Sequence, residues 1–197
     1  MKNQNIYKLL KISSIGYQES YTGKNFNEEL NNILKKKNGF YTFESALHFF
    51  SNNEIENITS LIKNRYQYDS IENCLFFAED IFGNLFCYDN VLNIIFLLDL
   101  ESGQKEELGS SFEEWAKKIL EDYDYLTGYS IAHEWQVKNG SLNKNIRLFP
   151  EIPFILGGEY NINNLKEIEQ MNGIKKKFEL YKQIKDMHDG EKVVFVK

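Results

Sequence analysis

Proline, cysteine and histidine are scarce in this chain, and each scarcity excludes something. Two prolines in 197 residues leave no Pro-rich linker to divide the chain. That length, with 42% hydrophobic side chains, fits one domain over residues 1–197 with one sizeable core. The two cysteines, Cys74 and Cys87, lie in apolar strand-like runs. They could pair across neighbouring strands, but buried thiols are the better reading. The longest apolar run, Ile94 to Leu98, is far short of the roughly 20 residues a membrane helix needs. Residues 1–20 lack an apolar core followed by a small-residue cleavage site, so a cytoplasmic location with no membrane partner is expected.

Catalytic motifs are also missing: there is no GxGxxG, P-loop, GxSxG or CxxC. The three histidines, His48, His133 and His188, are far apart. His133-Glu134 resembles the opening of a zinc-protease motif, but Val137 stands where the second histidine belongs, and a helix-surface pair is the plainer reading. Either cysteine would need a lowered pKa to act as a nucleophile, and apolar surroundings push the other way. Glu79-Asp80 could bind a cation or act as acid and base, yet adjacent strand residues point to opposite faces. A solvated turn, with Asp80 bonding nearby amides, is the simpler account, and partner contact is the next. Gly157-Gly158 reads as a backbone bend, because Glu159 would repel a phosphate. Lys175 to Lys177 read as a solvated helix face. No catalytic residue, metal or cofactor is therefore expected.

Charge and aromatic content are what the chain does have. Phe, Tyr and Trp make up 15% of it, which argues against disorder. The net charge of −6 is unevenly spread. Residues 1–70 and 126–197 each balance at +2, whereas residues 71–125 hold 3 basic and 13 acidic side chains, a balance of −10. Such a block repels nucleic acid and attracts basic surfaces.

Element signals point to an α+β fold, a central, mainly antiparallel sheet flanked by helices from both the N- and C-terminal parts. The region up to about Lys24 is weakly patterned. Asn27 caps a helix over Glu28 to Lys37, ended by Asn38-Gly39. Thr42 is expected to cap a second helix from Phe43 to Phe50, and Ile55 to Tyr66 has helical spacing. Leu75–Ala78, Leu85–Tyr88 and Asn93–Leu98 read as strands joined by short turns at Gly83-Asn84 and Asp89-Asn90. A polar edge strand, Gln104 to Leu108, follows Ser102-Gly103. Ser111 and Glu114 form a capping box for a helix that buries Phe112, Trp115 and Ile119. A helical extension is expected from about 128. It comprises Gly128 to Lys138, an extended stretch bracketed by Pro150 and Pro153, and a helical region from Asn164 to about Met187 interrupted at Gly173. A last strand covers Val193 to Val196.

The central run FFAEDIFGNLF, followed by FLLDLESGQKEELGSSFEEWAKKIL, is similar to the heart of the SUKH superfamily, the Smi/Knr-like group. The matching positions are Ala78 to Gly83, Leu97 to Gly103 and Ser111 to Trp115. Asn38 to His48 and Ile152 to Tyr160 resemble its bacterial immunity-protein branch, although the Pro often found before the Asn-Gly element is absent. The family has no established catalytic residues. The resemblance implies a single α+β domain that binds protein, often to neutralise a cognate toxin.

Two readings from one class and one from another follow. The first is an immunity protein, non-enzymatic, whose acidic surface docks on a basic toxin domain such as a nuclease. Its candidate contacts are Glu79, Asp80, Asp89, Glu101, Glu106, Glu107, Glu121, Asp122 and Asp124. The second is a general regulatory or scaffolding domain with no toxin partner. The third is a small metal-dependent hydrolase, which needs Glu79, Asp80 and His133 in one cleft.

Overall fold

The computed structural model describes residues 4–16, 21, 26–65 and 71–187. The expected strand at Val193–Val196 and His188 lie outside these residues. Six strands run in sequence order as an antiparallel meander: β1 (Phe40–Thr42), β2 (Leu47–Phe49), β3 (Cys74–Glu79), β4 (Leu85–Asp89), β5 (Ile94–Leu98) and β6 (Lys105–Gly109). Before and within the meander come α1 (Gln4–Ile12), α2 (Glu28–Lys36) and α3 (Asn52–Arg65). After it come α4 (Phe112–Glu121), α5 (Tyr123–Thr127), α6 (Tyr129–Asn139), β7 (Ile146–Pro150), β8 (Leu165–Glu169) and α7 (Gln170–Ile184). β7 and β8 form a separate antiparallel pair. The expected α+β class holds. No helix among the described residues is long and apolar enough to cross a membrane.

Trp115 anchors the main core. Its ring lies 5.1–5.9 Å from those of Phe49, Phe77 and Phe86, so α4 is packed onto β2, β3 and β4. Ser111 accepts the Glu114 amide as the capping box requires, but the Glu114 carboxylate reaches back one residue further, to the amide of Ser110. A smaller cluster, including Phe82, Trp135, Leu148 and Leu165, forms where α6 and the second sheet meet the β3–β4 turn.

Several expectations fail for physical reasons. Residues 43–50 are not helical. Phe43, Glu44 and Ser45 have φ of 51°, 51° and 70°, a left-handed turn joining β1 to β2. Leu47, His48 and Phe49 form a strand of only three residues, all buried, too short to establish the alternation that marks a strand. α1 escaped notice because its cap is remote: the amides of Asn5 and Ile6 donate to the Glu113 carboxylate at 2.6 and 3.1 Å. The extension from 128 is not wholly helical, since β7 and β8 interrupt it. The last helix begins at Gln170 and runs unbroken through Gly173, where a Cβ would press on Ile168 at 3.2 Å.

A buried polar cluster ties the two sheets together. One oxygen of Glu79 (β3), Oε1, accepts from His48 Nδ1 at 3.0 Å, Arg147 Nε at 2.7 Å and Gln170 Nε2 at 2.6 Å. These donors come from β2, β7 and α7. His48 also faces Glu54 through Nε2 at 3.4 Å, and the Arg147 guanidinium lies over Tyr41, 5.4 Å from the ring centroid. Arg147→Met is expected to cost about 3–5 kcal/mol, because it leaves a buried carboxylate short of a cation. Urea unfolding measures this. The Glu79→Gln/Arg147→Met pair should recover part of the loss, and a single variant as stable as wild type would refute the assignment.

Candidate functional site

At one end of the meander the β3–β4 and β5–β6 turns meet α5, the start of α6 and the loop after β7. They enclose a cleft of about 550 Å³. Asp80, Asp99, Glu106 and Asp124 supply carboxylates to its lining; Phe82, Tyr125 and Tyr160 supply aromatic rings; Lys105 supplies a cation. Local chemistry places each wall. Gly128 has φ +69°, and a Cβ there would come within 2.6 Å of the Phe82 ring, so only glycine lets α5 turn into α6 against the cleft floor. A Cβ on Gly158 would collide with the Ile152 carbonyl oxygen, which makes Gly157-Gly158 the expected bend. That bend precedes Tyr160, whose ring stacks on Phe154 at 3.8 Å.

The nine candidate carboxylates divide sharply. Glu79, Asp80, Asp89 and Glu101 are buried, and the account of Glu79-Asp80 as a solvated turn is corrected. Glu79 sits in the polar cluster described above. Asp80 accepts the Asn84 amide and Asn84 Nδ2, each at 2.8 Å. Asp89 accepts the amides of Val91 and Leu92 in the β4–β5 turn, at the far end of the sheet. Glu101 pairs with Lys177 at 3.5 Å and accepts the Ile155 amide at 3.2 Å. Lys177, read above as part of a solvated face, is 1% exposed and also donates to Asn84 Oδ1 at 3.0 Å. Interior carboxylates had drawn one lysine of the run inward, a partner that helix spacing alone does not disclose.

Glu106, Glu107, Glu121, Asp122 and Asp124 are exposed. Tyr125 donates to Glu106 at 3.1 Å and so holds α5 beside β6, which brings Glu106 and Asp124 to the same cleft. Glu107 is the next residue on the edge strand, Glu121 faces Lys117 at 3.8 Å, and Asp122 joins α4 to α5. Sequence reasoning missed Asp99, Tyr125 and Tyr160. Asp99 was visible as the end of an apolar run before a Ser-Gly turn; nothing local marks the two tyrosines.

The hydrolase geometry is not assembled. Glu79 faces the interior, while exposed His133 bonds Glu44 at 2.8 Å; of the three residues, Asp80 alone lines the cleft. No group of three or more His, Cys, Asp or Glu among the described residues is arranged to hold a metal. Both cysteines are free and buried. Burial, and after it Asp89, pushes the Cys74 thiol up to about 12, and burial holds Cys87 well above its ordinary value.

The family model SUKH_6, described as SMI1-KNR4 cell-wall, matches residues 13–115. The chain belongs to the SUKH family. No curated protein matches it. Among solved structures, the crystal structure of Atu4351 from Agrobacterium tumefaciens is similar with a TM-score of 0.59 and 11% identity, covering 89% of this chain and 87% of that one. The likeness is one of fold, and it extends beyond the stretch the family model matches. In this SUKH chain the matched residues build the meander and the first turn of α4. α5, α6 and the loop that follows β7, which wall the cleft, lie beyond them.

Carboxyl groups outnumber the single cation, Lys105, in the cleft lining. Partial burial, then Asp99, Glu101 and Asp80, pushes the Tyr160 hydroxyl up to about 12. Burial pushes Asp80 up to about 7, against the opposing pull of Lys177 and of the Asn84 hydrogen bonds, with nearby Glu79 adding to the rise. Its ordinary value is 3.8. Between those values the folded chain holds a proton that the unfolded chain releases. Asp80 therefore favours folding at acid pH, and that contribution is lost as pH rises from about 4 to 7. Between about pH 5 and 8 the wild type should lose on the order of 2–3 kcal/mol more stability than Asp80→Asn. Urea unfolding at both pH values decides it, and equal losses would sink the assignment.

Proposed function

We propose that this SUKH chain is a non-enzymatic protein-binding module, an immunity protein that neutralises a cognate toxin by covering its basic surface. The observation that carries the reading is the placement of the exposed carboxylates. Glu106 and Glu107 on β6, Glu121 at the end of α4, and Asp122 and Asp124 on and before α5 occupy adjoining elements, beside an acidic cleft. A nuclease substrate groove, built to hold phosphates, has the complementary charge. Attraction between the two surfaces speeds encounter, and the exposed aromatic rings Tyr125 and Tyr160 give the desolvated contacts that slow dissociation. The family's description, SMI1-KNR4 cell-wall, favours a second reading, a regulatory or scaffolding domain that binds host proteins.

Coexpression with the product of the gene immediately upstream separates them. The immunity reading expects that product to be toxic alone and harmless with this chain, and the two to copurify. Replacing Glu107, Asp122 and Asp124 together by lysine should slow association by about tenfold or more, and the difference should shrink as salt rises from about 0.05 to 0.5 M. A harmless upstream product, or one neither bound nor neutralised, rejects immunity. Binding to several host proteins with little salt dependence would favour the regulatory reading.

A further inference from the structure

The cleft differs from the surrounding acidic surface in having depth, aromatic walls and carboxylates already held in place. Asp124 Oδ1 accepts the Ser130 amide at 2.7 Å, and Glu106 Oε2 accepts the Tyr125 hydroxyl at 3.1 Å. Asp99 is held through Oδ1 by the Glu101 amide at 2.8 Å and through Oδ2 by Ser102 Oγ at 2.7 Å. Asp124 Oδ2 and Glu106 Oε1 accept no hydrogen bond among the described residues. Two fixed carboxylates thus keep an oxygen available on the wall that also carries Tyr125. Tyr160 stands in the same lining, with Leu97 and Ile131 giving it apolar surface. The volume, about 550 Å³, lies within the range of small-ligand clefts and exceeds what a bare cation would fill.

We propose that this cleft is a socket for an arginine side chain of the partner protein, its methylenes against Leu97 and Ile131 and its guanidinium between the tyrosine rings and the carboxylates of Asp124 and Glu106. The proposal deepens the protein-binding reading and rests on it. Charge complementarity selects a cation. A flat, weakly hydrated guanidinium stacks on aromatic rings and bridges carboxylates with its forked donors, which a compact ammonium does less well. The methylene stem suits the apolar part of the lining. Burial and, after it, Asp99, Glu101 and Asp80 raise the Tyr160 hydroxyl, and such a cation would relieve the carboxylates' share of that rise.

Titrating the full chain with the blocked peptide Gly-Gly-Arg-Gly-Gly, followed by amide NMR shifts, tests the socket. Shifts are expected at Gln104, Gly128 and Ile131 and not at the β4–β5 turn. The citrulline and lysine versions should bind more weakly, citrulline by about tenfold. Asp124→Asn and Tyr125→Leu should each weaken arginine binding by a similar factor. Undisturbed core amides around Trp115 would show that these variants keep the fold. Equal binding of arginine and citrulline, lysine binding as tightly as arginine, or shifts elsewhere would overturn the proposal. So would a toxin complex that forms through the exposed carboxylates but is indifferent to Tyr125→Leu, an outcome that leaves the protein-binding reading standing. Arginine-peptide binding at the cleft without any neutralised toxin would support the socket and reject immunity.

Discussion

One carboxylate oxygen, Glu79 Oε1, meets donors from β2, β7 and α7 within 3.0 Å. A buried carboxylate is tolerated only when cations and hydrogen bonds replace the water it has lost. Glu79 therefore makes the position of the second sheet and of the last helix a condition of folding the first. Apolar contacts between these layers could slide; three directional bonds converging on one atom cannot. Lys177, one face of α7 further along, repeats the arrangement with Glu101 and Asn84. The two anchor points hold α7 in one register against the end of the meander that forms the cleft.

This division explains why the concentration of acid in residues 71–125 misleads when read as surface. Glu79 and Glu101 spend their charge on Arg147, His48 and Lys177, Asp89 spends its charge on turn amides, and Asp80 is bonded to Asn84. They are structural carboxyl groups, and the cations that pair with Glu79 and Glu101 come from outside the acidic block. Subtracting them leaves a smaller set on β6, the end of α4 and α5, and it is this remainder that a basic partner can reach. Net charge over a segment records both sets alike, because the cations that bury Glu79 and Glu101 arrive more than sixty residues later.

The same distinction between local and distant causes governs what could be read from the residues. β3 to β6 and α4 were legible because their signals are contained in the elements themselves: apolar runs, Gly-Asn and Ser-Gly turns, and a Ser-to-Glu cap. The residues of β2 could not disclose a strand, since there are only three, all buried, and the left-handed turn before them contains no glycine. α1 depends on Glu113 for its first amides, and β7 carries Arg147, whose role exists only beside Glu79. For the cleft, the acidic residues were found as a charge block, but the tyrosines that shape it come from α5 and from a loop after β7. No spacing rule joins Tyr125 to Tyr160.

The cleft follows from how the meander ends. Two hairpin turns at the same end of the sheet bring Asp80 and Asp99 to one lining, and each is bonded locally. The chain then uses α5, α6 and the loop after β7 to wall that end without covering it, and burial keeps a proton on Asp80 up to about pH 7. A lining that still holds the carboxylates of Asp99, Glu106 and Asp124 is one that a fixed cation would stabilise. A basic partner of the kind proposed would supply that cation.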